Sequence, residues 1–197
     1  MKFKILIMTT LLIATIAISC GPRRYSKGKY VDPTAQDLLS DKFVETDLQQ
    51  IADGLTASLL ADPLVQNSAP VLMISLFTNA TDEHIDMLSL TNKIRTQLAQ
   101  SKKVRFINER IRDQLAEEYI YEESGLVDPE KAKQSGHQLG VDYLITGHLA
   151  SIRQPQGRRE IVYYKTTMEL TNLESGELAW TDEVELKKVF RKRHVGY

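Results

Sequence analysis

The 197-residue chain has one cysteine, one tryptophan and six prolines. A single cysteine excludes an intrachain disulfide framework and a thiolate metal cluster, so stability must come from an ordinary apolar core. Neither charge sign dominates, with 25 Lys and Arg against 26 Asp and Glu and a formal net charge of −1. That balance argues against nucleic-acid binding, which needs a concentrated positive field. GxSxG, HExxH, Walker and GxGxxG motifs are all missing, and with them the usual signatures of nucleophilic, zinc-dependent and nucleotide-dependent chemistry. His84, His137 and His148 show no i,i+4 ligand spacing, and Glu117, Glu118, Glu122 and Glu123 read as the solvated face of a helix end. No catalytic residue, metal site or cofactor is expected. A long transmembrane run is lacking too. The apolar stretch from Ile5 to Ile18 would reach only about 21 Å as a helix, against roughly 30 Å of bilayer hydrocarbon.

That short stretch follows Lys2 and Lys4 and closes on Ala17, Ile18, Ser19 and Cys20. A positive start, an apolar run and a small-residue exit make a secretory signal, and a cysteine at the exit is what lipid modification requires. Residues 1–19 are therefore expected to be removed and Cys20 to carry acyl chains; two or three chains give durable attachment where one does not. Loss of the two lysines takes the net charge from −1 to −3. Gly21, rather than Asp, follows the cysteine, which favours the outer membrane and a periplasm-facing domain. Residues 20–35 then read as the lipidated end and a flexible tether, and residues 36–197 as one globular domain. The segment 21–35 can stretch to about 50 Å.

Within the domain, Val44, Leu48, Ile51, Leu55 and Leu59 recur at helical steps and predict a helix ending before Pro63. VLMISLF at 71–77 predicts a buried strand. Asp82 and Glu83 favour the start of a second helix bearing Met87, Leu90, Thr91, Ile94 and Leu98, and Asn79 and Thr81 suit a loop whose side chains bond the backbone. Val104–Ile107 predicts another strand. Asn108 predicts a cap for a helix buried along Ile111, Leu115 and Tyr119, and Asp128–Pro129 opens one that stops near Gly140. Residues 141–152 and 161–173 predict strands. In the second, Val162, Tyr164, Thr166, Met168 and Leu170 alternate with polar residues, and the return strand repeats this with Leu178, Trp180, Val184 and Leu186. The fold class expected is α/β: a single domain with a mixed sheet of about five strands, a C-terminal antiparallel meander and helices largely on one face. Residues 187–197 are read as a basic, solvated strand and tail, with contact to anionic headgroups or an acidic partner as the alternative.

Residues 70–107, with their strand, Asn79-x-Thr81 loop and Ile85-Asp86 helix start, resemble the LpoB family, outer-membrane lipoprotein activators of penicillin-binding proteins. The segments GVDYLITGHLASI and YYKTTMELTNLESGELAWTDEVELKK extend the resemblance across residues 34–190. It implies a lipid-anchored, monomeric, non-enzymatic protein that docks on a bifunctional (class A) penicillin-binding protein and stimulates peptidoglycan synthesis. Asn79, Thr81, Ile85 and Asp86 are then structural motif residues. Residues 21–35 form a shorter tether than the proline-rich one of enterobacterial members. For the docking surface, Arg153, Arg158 and Arg159 beside Tyr163 and Lys165 are the expected anchors, because interfaces favour Arg and Tyr. The alternative is a subunit of an outer-membrane secretion pore like the CsgG lipoproteins, or another envelope adaptor. A pore needs further amphipathic strands for its barrel, whereas the soluble sheet accounts for those present.

Overall fold

Helical and alternating apolar periodicities divide the domain into an N-terminal helix-bearing part and a C-terminal meander. The computed structural model describes residue 32 and residues 40–108, 111–122, 124 and 140–191. The signal segment, Cys20, the tether apart from residue 32, the helix expected after Asp128, His137, Glu123 and the tail beyond Arg191 lie outside the described residues. Two units divide the chain, Met1–Ala35 and Gln36–Tyr197, and all that follows concerns the second. Its elements are α1 (Glu45–Ala61), α2 (Pro63–Ser68), β1 (Val71–Ile74), β2 (Thr78–Ala80), α3 (Met87–Gln100), β3 (Arg105–Phe106), α4 (Arg112–Tyr121), β4 (Tyr143–Gln156), β5 (Arg159–Asn172) and β6 (Leu178–Arg191).

The strands form one mixed sheet in the order β3-β1-β4-β5-β6, with β2 also on β4. β1 and β2 run parallel to β4 on one of its edges, at Tyr143–Ile145 and at His148–Ala150. The expected five rows are present, but the row holding β1 is broken and resumes as β2, which makes six strands. The break has a packing cause. Ser75 still donates to Ile145 O at 2.9 Å, then Leu76 turns outward at 58 % exposure while Phe77 is buried at 1 %. The Phe77 ring lies over Gly147, where a Cβ would come within 2.5 Å of it. The glycine makes room for an aromatic side chain from the neighbouring row.

α1 buries Ile51, Ala52, Leu55, Thr56 and Leu59, and α3 buries Met87, Leu90, Thr91, Ile94 and Leu98. These two helices pack on each other, and α1 also packs on β6. The shared core continues into the sheet through Leu72, Ile74, Ile145, Leu149, Val162, Tyr164, Met168 and Leu170. The short helix α2, not expected from the periodicity, starts at Pro63 with Asp62 accepting from Leu64 N–H at 2.8 Å, where proline needs no hydrogen-bond partner. α4 departs from expectation. Its first turn has no side-chain cap, Leu115 and Tyr119 are only half-buried, and Ile111 and Ile120 are exposed.

Candidate functional site

The NATDEHID segment holds its own shape. Asn79 Oδ1 accepts from Thr81 N–H at 2.9 Å and from the Thr81 hydroxyl at 2.7 Å, while Asn79 Nδ2 donates to Glu83 O at 2.7 Å. Glu83 N–H donates back to Thr81 Oγ1 at 3.1 Å. Ile85 sits in the core. The cap of α3 is Asp86, which accepts from Leu88 N–H at 3.0 Å and Ser89 N–H at 3.3 Å. Asp82 and Glu83, read from the sequence as helix-start carboxylates, lie too early for that role because β2 and the tied loop occupy residues 78–83.

Glu83 instead becomes the centre of a polar cluster. Its carboxylate accepts from Phe43 N–H at 2.9 Å, from the Tyr164 hydroxyl and from the Arg153 guanidinium. Arg153 also pairs with Asp41 at 3.4 Å, Asp82 at 3.6 Å and Glu160 at 3.8 Å. Burial alone would raise the Glu83 carboxyl, but hydrogen bonds from Tyr164, Phe43 and Arg153 outweigh it and hold it below its ordinary value. The Tyr164 hydroxyl is pushed upward, first by burial and then by its bond to that carboxylate. The cluster borders a cleft of about 670 Å³ between residues 42–48, at the start of α1, and residues 82–89, at the start of α3.

Arg153 therefore does not stand with the other expected docking residues. It lies in register with Val162, on the helix-covered face. Tyr163 and Lys165 project from the opposite face of β5, which is open among the described residues, and each is already bonded to β6. Tyr163 donates to Glu185, which raises its hydroxyl to about 12, and Lys165 pairs with Glu183 at 2.7 Å. Arg158 and Arg159 carry no ion pair or side-chain hydrogen bond with any described residue. The expected polar loop between the strands is much tighter than its seven residues suggested. β4 and β5 pair as far as Gln156 with Arg159, and Gly157 turns the chain at φ 58, a backbone state glycine adopts without strain.

A second polar element escaped the sequence reading. Lys188, placed there in a solvated strand, is 5 % exposed and donates to Asp47 Oδ2 at 2.6 Å and Lys42 O at 2.7 Å. Asp47 in turn accepts from Val44 N–H at 2.8 Å at the start of α1. The signal was available, since continuing the even-numbered inward set Val184 and Leu186 by one step reaches Lys188. Among the described residues no group of three His, Cys, Asp or Glu side chains is placed to hold a metal ion. No helix there is long and apolar enough to cross a membrane.

Residues 47–186 match the family described as peptidoglycan-synthase activator LpoB, a span that runs from the first turn of α1 into β6. Among solved structures, the chain is similar to the LpoB C-terminal domain from Salmonella enterica, at 14 % identity and a TM-score of 0.45 over 72 % of this chain and 99 % of that one. The Escherichia coli C-terminal domain gives 14 % and 0.44 over 72 % and 99 %, and the NMR structure of E. coli LpoB gives 11 % and 0.41 over 89 % and 85 %. Among curated proteins no significant match is found. On the family match, which covers the described core from helix to meander, the chain belongs to the LpoB family of peptidoglycan-synthase activators.

Proposed function

We propose that the mature chain begins at an acylated Cys20, is held by that lipid at the outer membrane facing the periplasm, and acts there as a monomer. It docks on a class A penicillin-binding protein and stimulates glycan polymerisation without chemistry of its own. The observation that carries this reading is the family match over residues 47–186. An activator of this kind works by binding the active form of the synthase more tightly than the inactive form, so the requirement on the domain is a rigid, presented surface. The open face of the meander suits that requirement. It offers Tyr163 and Lys165 from a central strand, with Arg158 and Arg159, unpaired among the described residues, at its hairpin end. Asn79, Thr81, Ile85 and Asp86 serve structure, because their polar groups are engaged within the loop or the α3 cap and Ile85 is buried.

The deciding experiment measures glycan polymerisation by each of the host's bifunctional penicillin-binding proteins, with and without the purified mature chain. A rise in rate with one synthase is expected. An unchanged rate with all of them, using chain shown to be folded, would refute the activator reading.

A further inference from the structure

The chemistry of the open face changes along the meander. Near its middle, Lys165 stands opposite Glu185, and Thr167 opposite Glu183, so charges of both signs alternate. Toward the hairpin the acids stop. Tyr163 stands opposite Lys187, Ile161 opposite Val189 and Arg159 opposite Arg191. Ile152 on β4 pairs with Tyr163 and is 58 % exposed, and Val189 is 49 % exposed. This end of the face is an aliphatic patch rimmed by cations, with no acidic side chain among its described residues. Arg159 and Arg191 face each other directly, an arrangement that destabilises a sheet, and neither has an ion pair with a described residue. An anionic surface would relieve that repulsion. The sequence adds Lys192 and Arg193 immediately after Arg191.

Residues 40–42, at the start of the continuously described part of the domain, lie at the same end of the sheet. Lys188, between Lys187 and Val189, donates to Ser40 O and Lys42 O. Arg153, next to Ile152, pairs with Asp41. Residues 21–39 can span at most about 65 Å, so a lipid on Cys20 keeps this end within reach of the bilayer that holds it.

We propose that the hairpin end of the open face binds an anionic phospholipid surface. Ile152, Ile161 and Val189 sit at the interface, and Arg158, Arg159, Lys187 and Arg191 lie against the headgroups. The inference relies on the lipid-anchor reading for delivery of the domain to the membrane. Arg158 and Arg159 belong both to this surface and to the one proposed for the synthase.

The test uses the mature chain carrying Cys20→Ser, so that no lipid contributes, and vesicles of phosphatidylethanolamine with or without phosphatidylglycerol. Cosedimentation is expected to be at least about tenfold stronger on the anionic vesicles and to weaken as salt is raised. Adding Lys187→Glu with Arg191→Glu should remove that preference, whereas Ile152→Ser with Val189→Ser should weaken binding at constant charge. Thermal unfolding checks that each variant is folded, and the milder Arg191→Gln is expected to lower binding in the same direction. Equal binding to both vesicle types, or full binding by the folded charge variants, would overturn the proposal. So would retention on polyglutamate without retention on anionic vesicles, which would indicate an acidic protein surface instead. Acyl labelling of the wild-type chain in cells separates the two readings: an unlabelled Cys20 sinks the anchor and leaves the vesicle result to stand or fall by itself.

Discussion

Glu83 illustrates how one side chain holds distant segments together. Its carboxylate joins the backbone at Phe43, the β4 residue Arg153 and the β5 residue Tyr164. With a side-chain exposure of 12 %, it is shielded enough for these bonds to matter. A hydrogen bond to a charged group contributes about 1.5–3 kcal/mol, so Glu83→Gln is expected to destabilise the domain by about 2–3 kcal/mol in urea unfolding. The pH dependence follows from the lowered carboxyl. Because the folded value lies below the ordinary 4.5, the unfolded chain takes up the proton first as pH falls. The stabilisation is complete above 4.5 and disappears as pH drops below it. The acid limb of the stability profile should therefore be shallower in Glu83→Gln than in the wild type. Identical slopes would exclude Glu83 as a contributor. Sequence alone offered an Asp-Glu pair before a helix and no hint that its partners lay at residues 43, 153 and 164.

At the scale of elements, the best-read parts were those whose period is local. The stripe of α1, that of α3 and the alternation of β5 follow from side-chain geometry within a single segment, and the burial of Ile51, Leu55, Ile94, Val162 and Leu170 agrees with them. The breaks were less legible. β1 stops at Ile74 because Phe77 needs the space above Gly147, a demand set by another strand. Lys188 is a similar case, joining β6 to α1 through Asp47. Removing one partner of a buried pair leaves an uncompensated charge, so Lys188→Ala or Asp47→Ala should each cost about 3–5 kcal/mol. The double variant Lys188→Ala with Asp47→Ala should lose much less than the sum of the two. A double-mutant cycle by denaturant unfolding measures this, and strict additivity would show that the two side chains act independently. Asp47 also holds Val44 N–H, so part of its cost should remain even when Lys188 is already gone.

Across the whole molecule, the sheet separates structural from presented charge. Arg153 and Lys188 point to the helix-covered side and clamp residues 40–42, while Arg158 and Arg159 have no partner among the described residues. Charge reversal at the second pair should consequently leave folding intact. Arg158→Glu with Arg159→Glu is expected to keep the thermal midpoint or raise it, since Arg159 no longer opposes Arg191, while weakening affinity for the synthase by about tenfold or more. Unchanged affinity would take these two residues off the docking surface. Loss of folding would contradict their lack of partners.

Composition and local pattern determined the absence of a disulfide framework, the helices at 45–61 and 87–100 and the alternating C-terminal strands, because each depends on neighbouring residues or on one repeat length. The motif order also carried the family resemblance, matched over residues 47–186. Tertiary structure decided what depends on residues far apart in sequence. Register brings Ile152, Ile161 and Val189 to one end of the open face. Chain crossing brings Asp41, Glu83 and Arg153 together, and packing turns the lysine at 188 into a buried partner of Asp47. Local periodicity says which face a side chain takes. Only the folded sheet fixes what meets it there.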